Sequence, residues 1–594
     1  MYCSLQHRLL PLLYILMLAF TAACTKPKVA AGIPEDNLLT ISSSNIRLFN
    51  VSQRTLNVTV NNTVLAMQRT SPLEEPGISV IGKQLFPDGM WKNGTSFSIP
   101  SLVLDQSGDA RLSAGDPGTG ITFRDTVLRN DPARPADVYL LPAGKIVCFP
   151  RNNTPPADPQ HFKIRIVNLG ATQDDFNTAG PVSLTYADGT AVDPVLNNIA
   201  AGTSSPYAEI PYGAYQFKLF AGGDYSRQLV TGDMQPAFNS CQPGRLPQAG
   251  FMPPVVTFKP GGVYTIMVVN RMFLFSSVCG GTSFNESKYA NAYQLITDLD
   301  AGINLTYARV HAVNAIPGKN ITVRVDGRPL GEGPLGYIGD IFREKAIAAD
   351  YHTIVQGSHT AEALDEKGNT LAAVSMQLFP YDNYTIWAYR EKGGSVKLLF
   401  TSNDMTHTIY RTGGNTNIQG PDDGTDGERR RLRFTYAWQS RFLNLCNEQP
   451  EITFTNNGQL FLPEFVYPDT LRFASAYRHL RPGILPERNP AVIYRLNNIS
   501  KYTEEGRPDT FGSNDDLLYF PEKIWVNNTA GGQSPGTLLT TVTPLTCRKT
   551  FIANNSMYAA TITTPPAENG IYTLALVGGE AGAAPRIIAI KHNK

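Results

Sequence analysis

The segment RVHAVNA, residues 309–315, followed by ITVRVDG, residues 321–327, decides the fold. In the first, Val310 and Ala312 alternate with Arg309 and His311, and a period of two with one polar side is that of a half-buried strand. The second run ends in Asp326-Gly327, a pair that tolerates the positive φ of a tight hairpin turn, so a further strand should fold straight back. Working outward, NIRLFN from Asn45, KIRIVN from Lys163 and RLRFTY from Arg431 repeat the opening strand. Val58-Thr59-Val60, Leu184-Thr185-Tyr186 and Ile452-Thr453-Phe454 repeat the second, with Asp188-Gly189 and Asn457-Gly458 as further turn pairs. Closing strands recur as KPGGVYTIMVV ending at Val269, FPYDNYTIWAY ending at Tyr389 and PPAENGIYTLALV ending at Val577, with LPAGKIVCF, residues 141–149, as a weaker first copy. The spacing suits four antiparallel sandwiches of about 100 residues with insertions. Helical patterns are scarce, and NESKYANAYQLITDL, residues 285–299, is the one stretch expected to form a short helix.

RVHAVNA, ITVRVDG and a Pro/Asn/Tyr-Thr closing strand together resemble the tandem Ig-like repeats of an uncharacterised domain family in bacterial cell-envelope lipoproteins. The third unit carries the resemblance best. It implies an all-β fold of tandem antiparallel Ig-like β-sandwich domains and an envelope location, and it brings no catalytic residue. The expected organisation is a signal peptide over 1–23, a tether over 24–43, and units over 44–160, 161–302 and 303–412. A Gly-rich linker over 413–429 then leads to a fourth unit, 430–594, interrupted by an irregular insertion at about 465–527.

The location rests on the N-terminal segment. Arg8 precedes an apolar run, Leu9–Ala23, broken by Pro11 and too short for a membrane-spanning helix of about 20 residues. It ends in the small residues Thr21, Ala22 and Ala23 and then Cys24, which resembles a lipoprotein signal whose cysteine is acylated after cleavage. Cys24 is therefore the expected lipid attachment site, and a membrane, the outer membrane foremost, the expected partner. A net charge of +1 with 17% charged residues shows no basic excess of the kind that tracks nucleic acid.

In an oxidising compartment Cys241 with Cys279, and Cys446 with Cys547, are candidate disulfides; Cys148, in apolar KIVCFP, reads as a buried thiol. No Cys or His spacing suits zinc, DDGTDGE at 422–428 lacks the ligand order of a calcium loop, and HExxH, GxSxG and P-loop motifs are absent. No metal, cofactor or catalytic residue is expected. Arg47, Lys163, Arg165, Arg309, His311, Arg431 and Arg433 recur on the polar side of the opening strands, as a solvated face or a stripe for anionic polymers. Trp387 and Tyr389 should point away from the third unit's core, either to stack on sugars or to be covered by an adjoining domain. The fourth-unit insertion gathers Tyr and Arg, with Tyr477, Arg478, Tyr494, Arg495 and Trp525 as candidate binding residues. These features point to a non-enzymatic envelope lipoprotein presenting a binding or adhesive surface to a glycan or protein. The alternatives are a glycan-binding accessory of a polysaccharide-uptake system and a strand-exchanging, fimbrial subunit.

Overall fold

The structure, a computed structural model, describes residues 41–594 apart from 69–76, 232–252, 280–281, 303–305, 381, 404–436, 457–462, 467–469, 474–477, 487–491, 496–519, 533–534, 559–566 and 581. Cys24, the 413–429 linker, Arg431, Arg433, Cys241 and Tyr477 lie outside the described residues, as do the side chains of Cys279, Tyr494 and Arg495. The described residues fall into two compact bodies, one ending at Cys148 and one running Phe149–Lys594. Among them no helix is long and apolar enough to cross a membrane.

The fold is all-β, and one wiring recurs four times. In the body ending at Cys148, Ser43–Asn50 lies parallel to Ala136–Leu140. In the other body His161–Leu169 lies parallel to Val263–Cys279, Tyr307–Asn314 to Asn383–Arg390, and Ala437–Asn444 to Gly570–Val577. Beyond this closure, where first and last strands meet, the sheets are antiparallel save for two short parallel edges, Val230–Thr231 beside Thr282–Leu299 and Ile347–Ala348 beside Arg586–Lys591. After that closure the chain turns back once more, as Ile146–Pro150, Thr282–Leu299, Val396–Ser402 and Arg586–Lys591. Asn57–Val60, Val182–Thr185, Thr322–Val325 and Ile452–Thr455 belong to the facing sheets, so the alternating apolar residues of both layers meet inside. The Asp326-Gly327 hairpin forms as expected, with φ of 49° and 77°. Asn61-Asn62, at 46° and 65°, makes the equivalent turn in the first sandwich without any glycine.

Three expectations are corrected. IVCFP in the first sandwich is the strand after the closing one; ADVYL, residues 136–140, closes it. Ala437–Asn444 takes the opening role assigned to RLRFTY, whose residues lie outside the described set. Residues 285–299 are strand, within an 18-residue element, Thr282–Leu299, paired antiparallel with all of Val263–Cys279 with one register shift at Val263/Tyr264. A pairing of that length satisfies the backbone along the whole segment and overrides a weak local helical preference.

The repeats also share a feature that only the corrected register reveals. Each opening strand carries a buried asparagine as its last or next-to-last residue: Asn50, Asn168, Asn314 and Asn444. In each, the side-chain nitrogen donates to two carbonyls of neighbouring loops: Arg54 and Trp91, Gly180 and Ile199, Lys319 and Leu335, Gln449 and Leu480. The side-chain oxygen accepts the backbone N–H two residues on, from Ser52, Gly170, Ile316 or Cys446. One amide thus ties the strand end to two loops that would otherwise bury bare carbonyls. Asn314→Ala should cost about 2–4 kcal/mol, since several buried groups lose their partner at once, and Asn314→Asp should cost no less. Urea titration of the 149–594 body measures both.

Candidate functional site

Three of the recurring basic residues, Arg47, Arg165 and Arg309, do not form a solvated face. Arg47 sits across the parallel closure from Asp137, fully buried, and bonds it through Nε and Nη2 at 2.9 Å each. Arg165 is 2% exposed, donates to Thr265 Oγ1 at 2.9 Å and stacks on Tyr207 at 4.9 Å. Arg309 lies over Tyr351 and Tyr212, at 4.7 and 5.6 Å, and passes so close to Gly213 that a Cβ there would overlap its guanidinium. These three cations sit at strand closures and between sandwiches, where they pair with acceptors and ring faces, so for them both the wet-face and the anionic-polymer readings are set aside.

Polar groups gather where the second, third and fourth sandwiches meet. From the second, Lys218 reaches Glu568 of the fourth at 2.6 Å, with both side chains 0% exposed. Lys218 also donates to the Ala187 carbonyl, while Tyr558 Oη and the Ala553 N–H donate to the Glu568 carboxylate. Burial works to raise the Glu568 pKa, but the Lys218 and Lys591 ammoniums outweigh it and hold the carboxyl below its usual range. Lys591 donates to Gln216 Oε1 at 3.0 Å, and Gln216 Nε2 to Asn569 Oδ1 at 2.8 Å; burial lowers the Lys591 pKa to about 8.

The tail of the last strand carries this network to the third sandwich. Ile347–Ala348 adds to the fourth sandwich's sheet as a parallel edge beside Ile590 and Lys591. His592 bridges Tyr351 and Thr573, at 2.8 Å from each hydroxyl. Lys594 exchanges backbone hydrogen bonds with Ala214 and Gln216 of the second sandwich. Three sandwiches are therefore knitted by one C-terminal strand.

Beside this junction a cleft of about 520 Å³ opens, within the range of small-ligand sites. One wall is the third sandwich's excursion Tyr337–Glu344; the other is built from 541–550 and 583–587 of the fourth. Arg586 braces the walls, donating to the Gly339 carbonyl at 2.6 Å with its guanidinium over the Phe342 ring, and Lys549 pairs with Glu344 at 3.0 Å. Tyr337 lines the cleft, and its hydroxyl is buried with no hydrogen-bond partner among the described residues. Burial, then Asp340, pushes its pKa up to about 12, so it stays a donor at any physiological pH. None of these cleft residues stands out in the sequence, because they come from three separate loops without a motif.

The residues singled out beforehand are placed elsewhere. Trp387 is fully buried and Tyr389 8% exposed. Tyr384 and Ile386 face the third core, whereas Trp387 and Tyr389 join Trp438 and Phe442 in the fourth sandwich's core. The adjoining sandwich covers them, so neither is a stacking platform for sugar. Trp525 is half-buried beside Lys523, and Arg478 is half-buried. Cys446 and Cys547 are free, buried thiols in the fourth core, where burial raises the pKa of Cys446 to about 11 and of Cys547 higher still; the bridge between them is not formed. Cys148 is exposed, because its strand ends a sheet, which overturns the buried-thiol reading. Among the described residues no three His, Cys, Asp or Glu side chains gather as a metal site.

No family model and no curated protein matches the chain. Among solved structures, a "putative cell adhesion protein from Bacteroides ovatus" aligns at 9% identity over 42% of this chain and 96% of that one, with a TM-score of 0.12.

Proposed function

We propose that this protein is a non-enzymatic, lipid-anchored component of the bacterial cell envelope, tethered through Cys24 and presenting a binding or adhesive surface on a stiff block of sandwiches. The observation that carries the reading is the three-sandwich junction. Lys218 and Glu568 are fully buried and paired with one another, and buried Lys591 is bonded to Gln216, an arrangement suited to holding domains in fixed register and closed to substrate. The Leu9–Cys24 segment supports the anchor. Replacing Cys24 with Ala should release the protein from membranes and abolish labelling by a fatty-acid analogue. A variant that still fractionates with membranes and still labels sinks the anchor.

The glycan-accessory reading is favoured by the cleft, whose walls carry threonine hydroxyls, charged groups of both signs and the unpartnered Tyr337 hydroxyl, a donor set suited to a polyol. Screening envelope and plant polysaccharides against wild type and Tyr337→Phe tests it. The expected outcome is binding weakened several-fold in the variant, and binding indifferent to Tyr337 moves the ligand elsewhere.

A further inference from the structure

We propose that the seam between the third and fourth sandwiches is an acid-sensitive latch whose release, on protonation of His592, parts the two walls of the cleft. The consequence for the cleft rests on its being the binding site; the latch itself does not.

His592 is 3% exposed and spends both ring nitrogens on neutral partners. Tyr351 Oη accepts a hydrogen bond from Asn403 Nδ2 at 2.6 Å, so its own proton can serve His592 Nδ1, leaving Nε2–H to donate to Thr573 Oγ1. That is the neutral imidazole. A second proton at Nδ1 ends its acceptor role, so Tyr351 must turn its hydroxyl to accept, and the seam then holds a buried imidazolium whose two partners, Tyr351 and Thr573, are both neutral.

The surroundings give the extra charge no counter-ion. Arg441 and His311 face the ring, Lys591 precedes it in the chain, and Arg309 lies over the Tyr351 ring. No carboxylate bonds the ring: Glu568 pairs with Lys218, Asp350, largely in solvent, with His352, and Asp382, whose charge is felt at Tyr351, accepts from the Ser402 hydroxyl. His311 is a second buried neutral ring in the same seam. It accepts the Asp350 N–H at Nδ1, 3.2 Å away, and its Nε2 has no partner.

Burial, then the charges of His311 and Arg441, pushes the His592 pKa well below 6.5, and burial lowers that of His311 to about 4. Both folded values are depressed, so the open form takes protons that the closed form refuses. The latch is fully closed above the free-imidazole pKa of about 6.5 and loses its hold as pH falls toward 4. Two coupled protons move the open–closed ratio by up to about 100-fold per pH unit.

Hydrogen–deuterium exchange of the full chain at pH 7.5 and pH 5, corrected for the intrinsic pH dependence of exchange, reads the seam directly. The amides of Ala346 and Ala349 bond across it to the Thr550 and Lys591 carbonyls, and segment 345–350 reports them. Expected is a loss of protection of at least tenfold in that segment at pH 5, with the interior strand Asn383–Arg390 unchanged, and a markedly smaller loss in His592→Gln or His592→Asn, which leave only the His311 proton. Full protection of the wild type at pH 5 overturns the latch, as does equal opening in a folded variant. Should neither variant fold, the wild-type midpoint decides: opening must fall between pH 6.5 and about 4, and a midpoint outside that window overturns it. Ligand release without seam opening would count against the latch, whereas seam opening with no ligand effect would count only against the cleft.

Discussion

Glu568→Gln should destabilise the 149–594 body by about 3–5 kcal/mol, the cost of removing one partner from a fully buried ion pair. Glu568 is the carboxylate between two buried ammoniums, Lys218 at 2.6 Å and Lys591 nearby, and it also accepts from Tyr558 and the Ala553 N–H. The glutamine keeps the shape and removes the charge, leaving two ammoniums without compensation in a dry seam. The sign of the pH response follows. Lys591 already has a folded pKa lowered to about 8, so its cost is felt below that value and fades as pH rises toward the unfolded value near 10.5. The wild type gains stability above pH 8 by the same linkage; losing the carboxylate lowers the Lys591 value further, so the variant should begin that gain below pH 8, where the wild type is still flat. Lys218→Met with Glu568→Leu, which removes the pair together, should cost far less than the single change. Urea unfolding at several pH values measures all three. A Glu568→Gln variant within about 1 kcal/mol of wild type would mean that water reaches the pair and that the seam is not dry.

The fold was legible because strand alternation and turn chemistry are local. Asp326-Gly327 sets its hairpin with two residues, and Val323 and Val325 turn inward whatever lies beyond them. What local pattern could not supply was the register of the diverged repeat. The mark shared by all four opening strands is the buried asparagine at or next to the end, and its meaning lies in two loop carbonyls that only the fold brings near, as with Gln449 and Leu480 around Asn444. The same holds for the junction. Lys218, Glu568 and Lys591 are scattered over the chain as unremarkable charges, and their pairing depends on how three sandwiches dock. The alternation that exposed Trp387 to a neighbour was readable, whereas the identity of that neighbour, a protein core in place of a sugar, was not.

Trp387→Ala consequently tests docking. The side chain belongs by strand to the third sandwich and by packing to the fourth, where it shares a core with Trp438, Phe442 and Leu574. Its indole N–H donates to Thr401 Oγ1 at 3.0 Å, which fixes the ring's orientation within the third sheet. Tyr389, two residues on, presses its hydroxyl against Gly483, where any Cβ would overlap it, so the loop 478–486 is moulded around this strand. Truncating Trp387 should cost about 3–5 kcal/mol, the range for large aromatic deletions in cores, and the loss should be felt on both sides of the seam. Exchange protection should fall in Ala437–Asn444 of the fourth sandwich as well as in Asn383–Arg390. An aromatic on display for a ligand would behave in the opposite way, with binding lost and stability untouched. Stability within about 0.5 kcal/mol of wild type, the usual range for a surface substitution, would show that the two sandwiches do not share this core in solution.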